Sequence, residues 1–417
     1  MMFFYNMVMS AARAVVYPWG RLKATAGEEV WRGRLALIPN VGPKDLWLHA
    51  ASVGEVKVIG YLIDYLQQQS PSVSIHVTVT TPAGFKTAVS SFDQSVTVTY
   101  LPLDAKRAVR RTLDLIDPKM IVIAETEIWP RLITEASERN IPVVLVNGRM
   151  SKEAFKKYRL IRSSVRKLLS RYERFFFKTV EDRDRYGEFG VSADKMVVTG
   201  DMKFDAPLLK KSPGRIHEVR SRAGVADDAF FLVAGSTRSG EDEILLNVYQ
   251  SLKKEFLNLR LLLAPRHLDR LDEVERLLDE RGFWYSVYGR DSDSKEVRAD
   301  SIVLVDRMGL LNELYLAADL AFVGGTLTDV GGHNILEPVW ARTPVVFGPF
   351  LDNVREAAEY VLEHNYGAKV NSQDEFRAVL ADVMNGERTF GTRTYSDVSE
   401  SPTAQVGHYL LERLKDA

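Results

Sequence analysis

Residues Leu46–Ile59 read LWLHAASVGEVKVI. Leu46, Trp47 and Leu48 form the short apolar run of a buried strand. Ala50, Ala51 and Ser52 are small enough for a tight turn. Val56, Ile59, Leu62, Ile63 and Leu66 then recur at helical spacing. The stretch predicts a strand, a turn and a helix, with Glu55 in the first helical turn. In open α/β sheets, ligands sit beyond the carboxyl ends of the strands, so Glu55 would face a cleft. Ser52 followed three residues later by Glu55 is also a capping box, which needs no substrate.

The same pattern repeats outward. Strands are expected at Leu46–Ala50, Ile75–Thr81, Ser95–Leu101, Met120–Ala124, Val143–Asn147, Phe175–Thr179 and Met196–Thr199, with helical patterns between them. A second series follows at Phe230–Ala234, Leu259–Ala264, Phe283–Val287, Ile302–Val305, Leu320–Val323 and Val345–Phe347. Such alternation implies α/β architecture with parallel sheets covered by helices on both faces. Lys203–Arg215, with Pro207, Pro213 and Gly214, reads as the linker, and Ala404–Lys415 as a closing helix. The expected division is an N-terminal segment 1–44, a first domain 45–207 and a second domain 208–417.

The chain has 417 residues, 46% hydrophobic and 27% charged, with a net charge of −1. That is an ordinary globular composition, and its balance does not point to nucleic acid. With no cysteine, disulfides and cysteine-ligated metal or iron–sulfur sites are excluded. The seven histidines are scattered without HExxH spacing, so no metal site is expected. Met1–Tyr17 is apolar but is interrupted by Asn6, Ser10 and Arg13, and falls short of the roughly 20 apolar residues that span a bilayer. Six basic residues against two acidic ones lie between Met1 and Lys44. An apolar helix with a basic flank suits an interfacial position on an anionic membrane surface. Ser151–Arg174, with nine basic and two acidic residues on a helical pattern, is a second basic surface.

Five further strand ends carry candidate chemistry. At Ile121–Pro130 (IVIAETEIWP), Glu125 and Glu127 follow a buried strand, placed either to bind hydroxyls or to favour a helix start. Val233–Glu241 (VAGSTRSGE) brings backbone N–H groups of Ser236 and Thr237 to a helix N-terminus, an anion site to which Arg238 adds a cation. In Leu263–Leu268 (LAPRHL), Arg266 can grip a phosphate or carboxylate, with His267 beside it. In Val305–Leu310 (VDRMGL), Met308 and Gly309 bring backbone close to a ligand. Gly324–Pro338 (GGTLTDVGGHNILEP) ends a buried strand in a glycine-rich loop. There Asn334 and Glu337, three apart, share a helix face and form either a sugar-diol site or a cap.

Together, WLHAASVGE, ETEIWP, GDMKFD at Gly200–Asp205, AGSTRSGE, LAPRH, FVGGT and GGHNILEP resemble the Kdo (3-deoxy-D-manno-octulosonic acid) transferases of lipopolysaccharide assembly. The resemblance covers nearly the whole chain. It implies a GT-B fold, two Rossmann-like doubly wound domains facing across a cleft. It also implies inverting, metal-independent transfer of Kdo from CMP-Kdo to the 6′-hydroxyl of a lipid A precursor (lipid IVA). That reaction, without a cofactor, is expected at the cytoplasmic face of the inner membrane. By the resemblance, Glu55 matches the general base and Glu125 a second acidic cleft residue. Ser236, Thr237, Arg238, Arg266 and His267 match the region of the donor phosphate and carboxylate. Met308, Gly309, Asn334 and Glu337 match nucleotide-side positions. The N-terminal domain would take the acceptor and the C-terminal domain the CMP-sugar.

One segment departs from the pattern: Gly33 stands between Arg32 and Arg34 in EEVWRGRLALIP, on the acceptor side. Two alternatives remain: a GT-B transferase using a UDP-sugar, separable by a donor panel, and a non-catalytic membrane-surface binding protein of the same fold, for which Glu55→Gln would be silent.

Overall fold

The computed structural model describes residues 17–206, 208–288, 301–394 and 400–416. They fall into two compact units, 17–206 with 400–416 and 208–394. Apart from Tyr17, the apolar stretch 1–17 lies outside the described residues. Residues 17–25 are helical.

The first unit is built on seven parallel strands: β1 Lys44–Ala50, β2 Ile75–Val79, β3 Thr97–Tyr100, β4 Pro118–Ala124, β5 Val143–Gly148, β6 Arg174–Phe177 and β7 Met196–Val198. Their order is β3-β2-β1-β4-β5-β6-β7. Leu48 of β1 is in register with Val77 of β2 on one side and Val122 of β4 on the other. The winding reverses between β1 and β4, and a ligand crevice opens at such a switch point. Alternate residues feed opposite cores, as the two-residue period of a strand requires. Leu46, Leu48 and Ala50 pack with Ile59, Leu62 and Leu66 of the helix Val53–Gln69. Trp47, Ile121 and Ile123 pack with Leu113 and Ile133 on the other face.

The second unit repeats the plan with β8 Phe230–Thr237, β9 Leu259–Pro265, β10 Tyr285–Val287, β11 Ile302–Leu304, β12 Leu320–Val323, β13 Val345–Phe347 and β14 Gly367–Lys369. The order β10-β11-β9-β8-β12-β13-β14 puts its reversal between β8 and β12. All thirteen expected strands are present, Leu320–Val323 and Val345–Phe347 with the expected ends and the others with shifted ones, and β14 is additional.

Three expectations are corrected. The closing helix, expected in the second domain, runs Pro402–Lys415 and packs on the first unit. Thr403 N donates to Asp205 at 2.6 Å, Arg413 Nε donates to Glu173 at 2.6 Å, and Gly407 lies so close to Tyr65 that an added Cβ would come within 2.3 Å of its ring. The linker is shorter than Lys203–Arg215, because Met202–Phe204 forms a 3-10 turn and Pro213 begins the helix Pro213–Arg222. The basic pattern Ser151–Arg174 is two helices, Lys152–Arg159 and Arg162–Leu169, broken at exposed Leu160 and Ile161. The departure at Gly33 has a packing cause: a Cβ there would lie 2.6 Å from Cβ of Tyr100, so only glycine lets the helix Glu29–Arg34 meet β3.

Candidate active site

In the first unit, β1 and β4 deliver their carboxyl ends to the switch point. Ser52 caps the helix Val53–Gln69, accepting from Glu55 N at 3.3 Å. The Glu55 carboxylate turns back over the same loop. Oε2 accepts from Ala51 N at 2.8 Å and Oε1 from Ser52 Oγ at 2.9 Å. Ser52 is thus the helix cap, and the Glu55 carboxylate is bound to the residue before the cap and to the cap hydroxyl, on a residue that is 7% exposed at the end of β1 beside the switch point. Two bonds use about half of the roughly four acceptor positions of a carboxylate, so lone pairs remain for a substrate hydroxyl. Burial pushes the Glu55 carboxyl above the usual range. The Ala51 and Ser52 bonds pull it back, and the charges of Glu125 and Glu127 push it up again.

Glu125 follows the last residue of β4 in a left-handed backbone, φ +58°. That conformation costs a side-chain-bearing residue roughly 1–2 kcal/mol. Such strain collects at functional sites. The next helix, Pro130–Glu138, has no acidic residue in its first turn. Its free amides at Arg131 and Leu132 are instead taken by Asp104, at 2.9 Å each. Glu125 and Glu127 are thus not cap residues. Glu127 is raised by burial and by the charge of Glu125. Lys203 of the GDMKFD stretch stands 3.9 Å from Glu125. The same stretch is locked in place by Asn147 Oδ1 accepting from Met202 N at 2.9 Å and by a buried Lys178–Asp201 ion pair. Beneath the site, fully buried His49 bonds Thr78 through Nδ1 at 3.0 Å and meets the Trp129 ring edge-on at 5.9 Å.

In the second unit, the β8 and β12 loops are tied by Glu241, a residue the sequence reading left unassigned. Its carboxylate accepts four backbone N–H groups: Arg238 at 2.9 Å, Gly325 at 2.7 Å, Thr326 at 3.0 Å and Leu327 at 2.8 Å. Ser236 adopts φ +56°, and a Cβ on Gly324 would lie 2.3 Å from its carbonyl oxygen. The N-terminus of this helix, where an anion is expected, already carries acidic side chains. The first turn of the helix Glu241–Leu252 already holds Glu241, Asp242 and Glu243. Arg238 Nε donates to His333 Nε2 at 2.9 Å, bridging the two loops. His333, also unassigned from sequence, is held down to about 4 by burial and by the neighbouring Arg238, Arg266 and His267. Arg266 N donates to Thr237 O at 3.1 Å, which fixes the β9 loop beside them.

The remaining expected residues are arranged differently. Asn334 Oδ1 accepts from Leu336 N, and its Nδ2 donates to Glu337, each at 3.2 Å, just before the short helix Leu336–Trp340, whose N-cap residue is Ile335. Met308 and Gly309 follow β11, two strands from β8, and are exposed. Among the described residues, no group of three or more His, Asp or Glu is placed to hold a metal ion. No described helix is long and apolar enough to cross a membrane.

Two doubly wound units in one chain, each with a polar site at its switch point, define a fold of the GT-B type. A UDP-GlcNAc 2-epimerase of Neisseria meningitidis, solved bound to UDP-GlcNAc, shares it with a TM-score of 0.54 over 89% of this chain and 100% of that one, at 11% identity. The family model for 3-deoxy-D-manno-octulosonic-acid transferase (kdotransferase) matches residues 29–206. A 3-deoxy-D-manno-octulosonic acid transferase of Haemophilus influenzae is 32% identical over 90% of this chain and 86% of its own length. A bifunctional glycosyltransferase/methyltransferase of Fusobacterium nucleatum is 36% identical over 82% of this chain. The chain spans about half of that relative's length, 52%. The chain belongs to the 3-deoxy-D-manno-octulosonic acid transferase family.

Proposed function

We propose that the chain is an inverting glycosyltransferase that moves Kdo from CMP-Kdo to the 6′-hydroxyl of a lipid A precursor. The observation that carries this reading is the setting of Glu55, a buried carboxylate at a switch point with its basicity raised and Glu125 and Glu127 beside it. A sugar hydroxyl is a poor nucleophile at neutral pH, and a positioned base is worth ~100- to 10,000-fold. Glu55 takes the hydroxyl proton. The hydroxyl oxygen bonds to the anomeric carbon of Kdo from the face opposite CMP, and CMP leaves with the bonding pair. The donor carries a phosphate and a carboxylate, and Arg238, Arg266 and His267 supply cationic or hydrogen-bonding groups for them.

Membrane association belongs to the same proposal. The apolar 1–17 stretch with its basic flank, followed by exposed Trp19 and Leu22, supports a peripheral or monotopic position on the cytoplasmic face of the inner membrane. Deleting Met1–Tyr17 should release the protein from membranes, and unchanged membrane association would refute that part.

The test of function is a donor panel with a tetraacylated lipid A precursor, products resolved by mass. A product gaining Kdo mass from CMP-Kdo, and nothing from UDP-sugars, supports the reading. Turnover of a UDP-sugar alone sinks it.

A further inference from the structure

In the second unit, one carbonyl oxygen anchors both ends of a loop. Thr237 O, at the end of β8, accepts from Arg266 N at 3.1 Å and from Arg270 Nη1 at 3.3 Å. A carbonyl oxygen has two lone pairs, so both are taken. Between the two anchors the chain leaves β9 through Arg266, His267, Leu268 and Asp269, all exposed, and closes in the 3-10 turn Leu268–Arg270. Inside the loop, Arg270 N donates to His267 O at 3.2 Å.

The Arg270 guanidinium is engaged from three sides. Nη2 donates to Asp242 at 2.6 Å and to Glu273 at 3.0 Å, and Nε donates to Glu273 at 3.3 Å. Glu273 in turn accepts from Ser239 Oγ at 3.1 Å. The Arg270 and Asp242 side chains are 13% and 2% exposed, so the pair is largely shielded from water. Arg270 therefore joins the β8 loop at Thr237, the helix Glu241–Leu252 at Asp242 and the helix Leu271–Glu280 at Glu273. This tether works against a repulsion. Burial first, and then the neighbouring Arg238, Arg266 and His267, hold His333 down, which places those three groups around one ring. Arg238 and Arg266 carry like charges, and crowding them pushes an exposed loop outward.

We propose that Arg270 is a positioning residue for the donor: by pinning the loop to Thr237 O, it holds Arg266 and His267 where they meet the CMP phosphate. The proposal rests on the CMP-sugar reading and adds which residue sets the cationic loop. Arg270 acts through Arg266 and needs no contact with the donor. Lysine is not equivalent here. A single ammonium on a flexible stem can keep Asp242, but it has no planar fork to reach Thr237 O and Glu273 at the same time.

The test is equilibrium titration of the full chain with CMP and with cytidine, which lacks the phosphate, for wild type, Arg270→Lys, Arg266→Ala and the double variant. A hydrogen bond to a charged group is worth about tenfold or more in affinity, so each single variant should weaken CMP binding by about that factor. Cytidine affinity should be the same in all four proteins. The double variant should bind CMP no more weakly than Arg266→Ala alone, because the two residues act through one contact. Glu273→Gln, at a position whose side chain is 48% exposed, loosens the same guanidinium without unpairing Asp242 and should show a smaller loss of the same kind. Thermal unfolding run beside the titrations checks that each protein is folded. Unchanged CMP affinity in Arg270→Lys and Glu273→Gln overturns the proposal. An equal loss for cytidine overturns it too, as a general disturbance of the unit, and so do losses that multiply in the double variant, as independent roles. Kdo transfer from CMP-Kdo is measured on the same wild-type protein. Coupled CMP losses without Kdo transfer would keep the positioning role and sink the transferase reading. Kdo transfer with uncoupled losses does the reverse.

Discussion

Ser52 and Glu55 hold each other reciprocally. Ser52 Oγ donates to Glu55 Oε1 at 2.9 Å and accepts the Glu55 N–H at 3.3 Å. One pair of residues thus starts the helix and orients the carboxylate assigned as base. Removing the hydroxyl acts on both roles. Ser52→Ala should cost about 1 kcal/mol of stability through the lost cap. It should also raise the Glu55 pKa further, because a bond favouring the ionised form is gone. The base works deprotonated, so the acidic limb of the kcat/KM–pH profile should move to higher pH.

The opposite shift is expected from the neighbouring carboxylates. Glu125 and Glu127 each push the Glu55 carboxyl upward. Glu125→Gln and Glu127→Gln remove a negative charge apiece, so each should move the same limb to lower pH. An unmoved limb in both variants would mean that the profile reports a different group.

Glu241 is the tie at the second switch point. Glu241→Ala leaves four inward-facing backbone N–H groups without their acceptor. Each buried donor left unpaired costs about 1–3 kcal/mol. A loss of several degrees in the unfolding midpoint should follow by calorimetry, together with weakened CMP binding by titration.

Two buried histidines set an acid limit to stability. Burial, the larger cause in both, and a nearby cation hold His49 down to about 4 and His76 down to about 3. In the unfolded chain each takes a proton near its ordinary value of 6.5, which the native state refuses. The unfolded state therefore binds more protons between those values, and stability falls as pH drops from about 6.5 towards 4. For His49 alone the loss is on the order of 3 kcal/mol. Urea unfolding at pH 7 and pH 4.5 should show a lower midpoint at the acid value, and His76→Gln should shrink the difference.

Much of the fold was legible because each strand announces itself by a buried apolar run bounded by a turn, as Met120–Ala124 does before Glu125. β14 was not, since Gly367–Lys369 is a three-residue edge strand with no such run. The return of the helix Pro402–Lys415 to the first unit was hidden because it rests on partners such as Asp205 and Glu173, far away in the chain. The break at Leu160–Ile161 interrupts a pattern whose composition does not change. In the site, Glu55 and Glu125 were legible as carboxylates at strand ends. Glu241 and His333 were not, because their roles depend on contacts 84 and 95 residues away, Glu241 with Gly325 and His333 with Arg238. The one visible signal for Glu241 was a carboxylate opening the helix after a small-residue turn.

The most direct test of the account is transfer by Glu55→Gln, measured beside CMP binding. The substitution keeps the side chain's size and one oxygen acceptor and removes the basic lone pair. The account predicts unchanged CMP affinity and a folded protein whose Kdo transfer is reduced ~100- to 10,000-fold. A variant that binds CMP and transfers Kdo at a near-normal rate would contradict it, leaving Ser52 and Glu55 as a helix cap and nothing more.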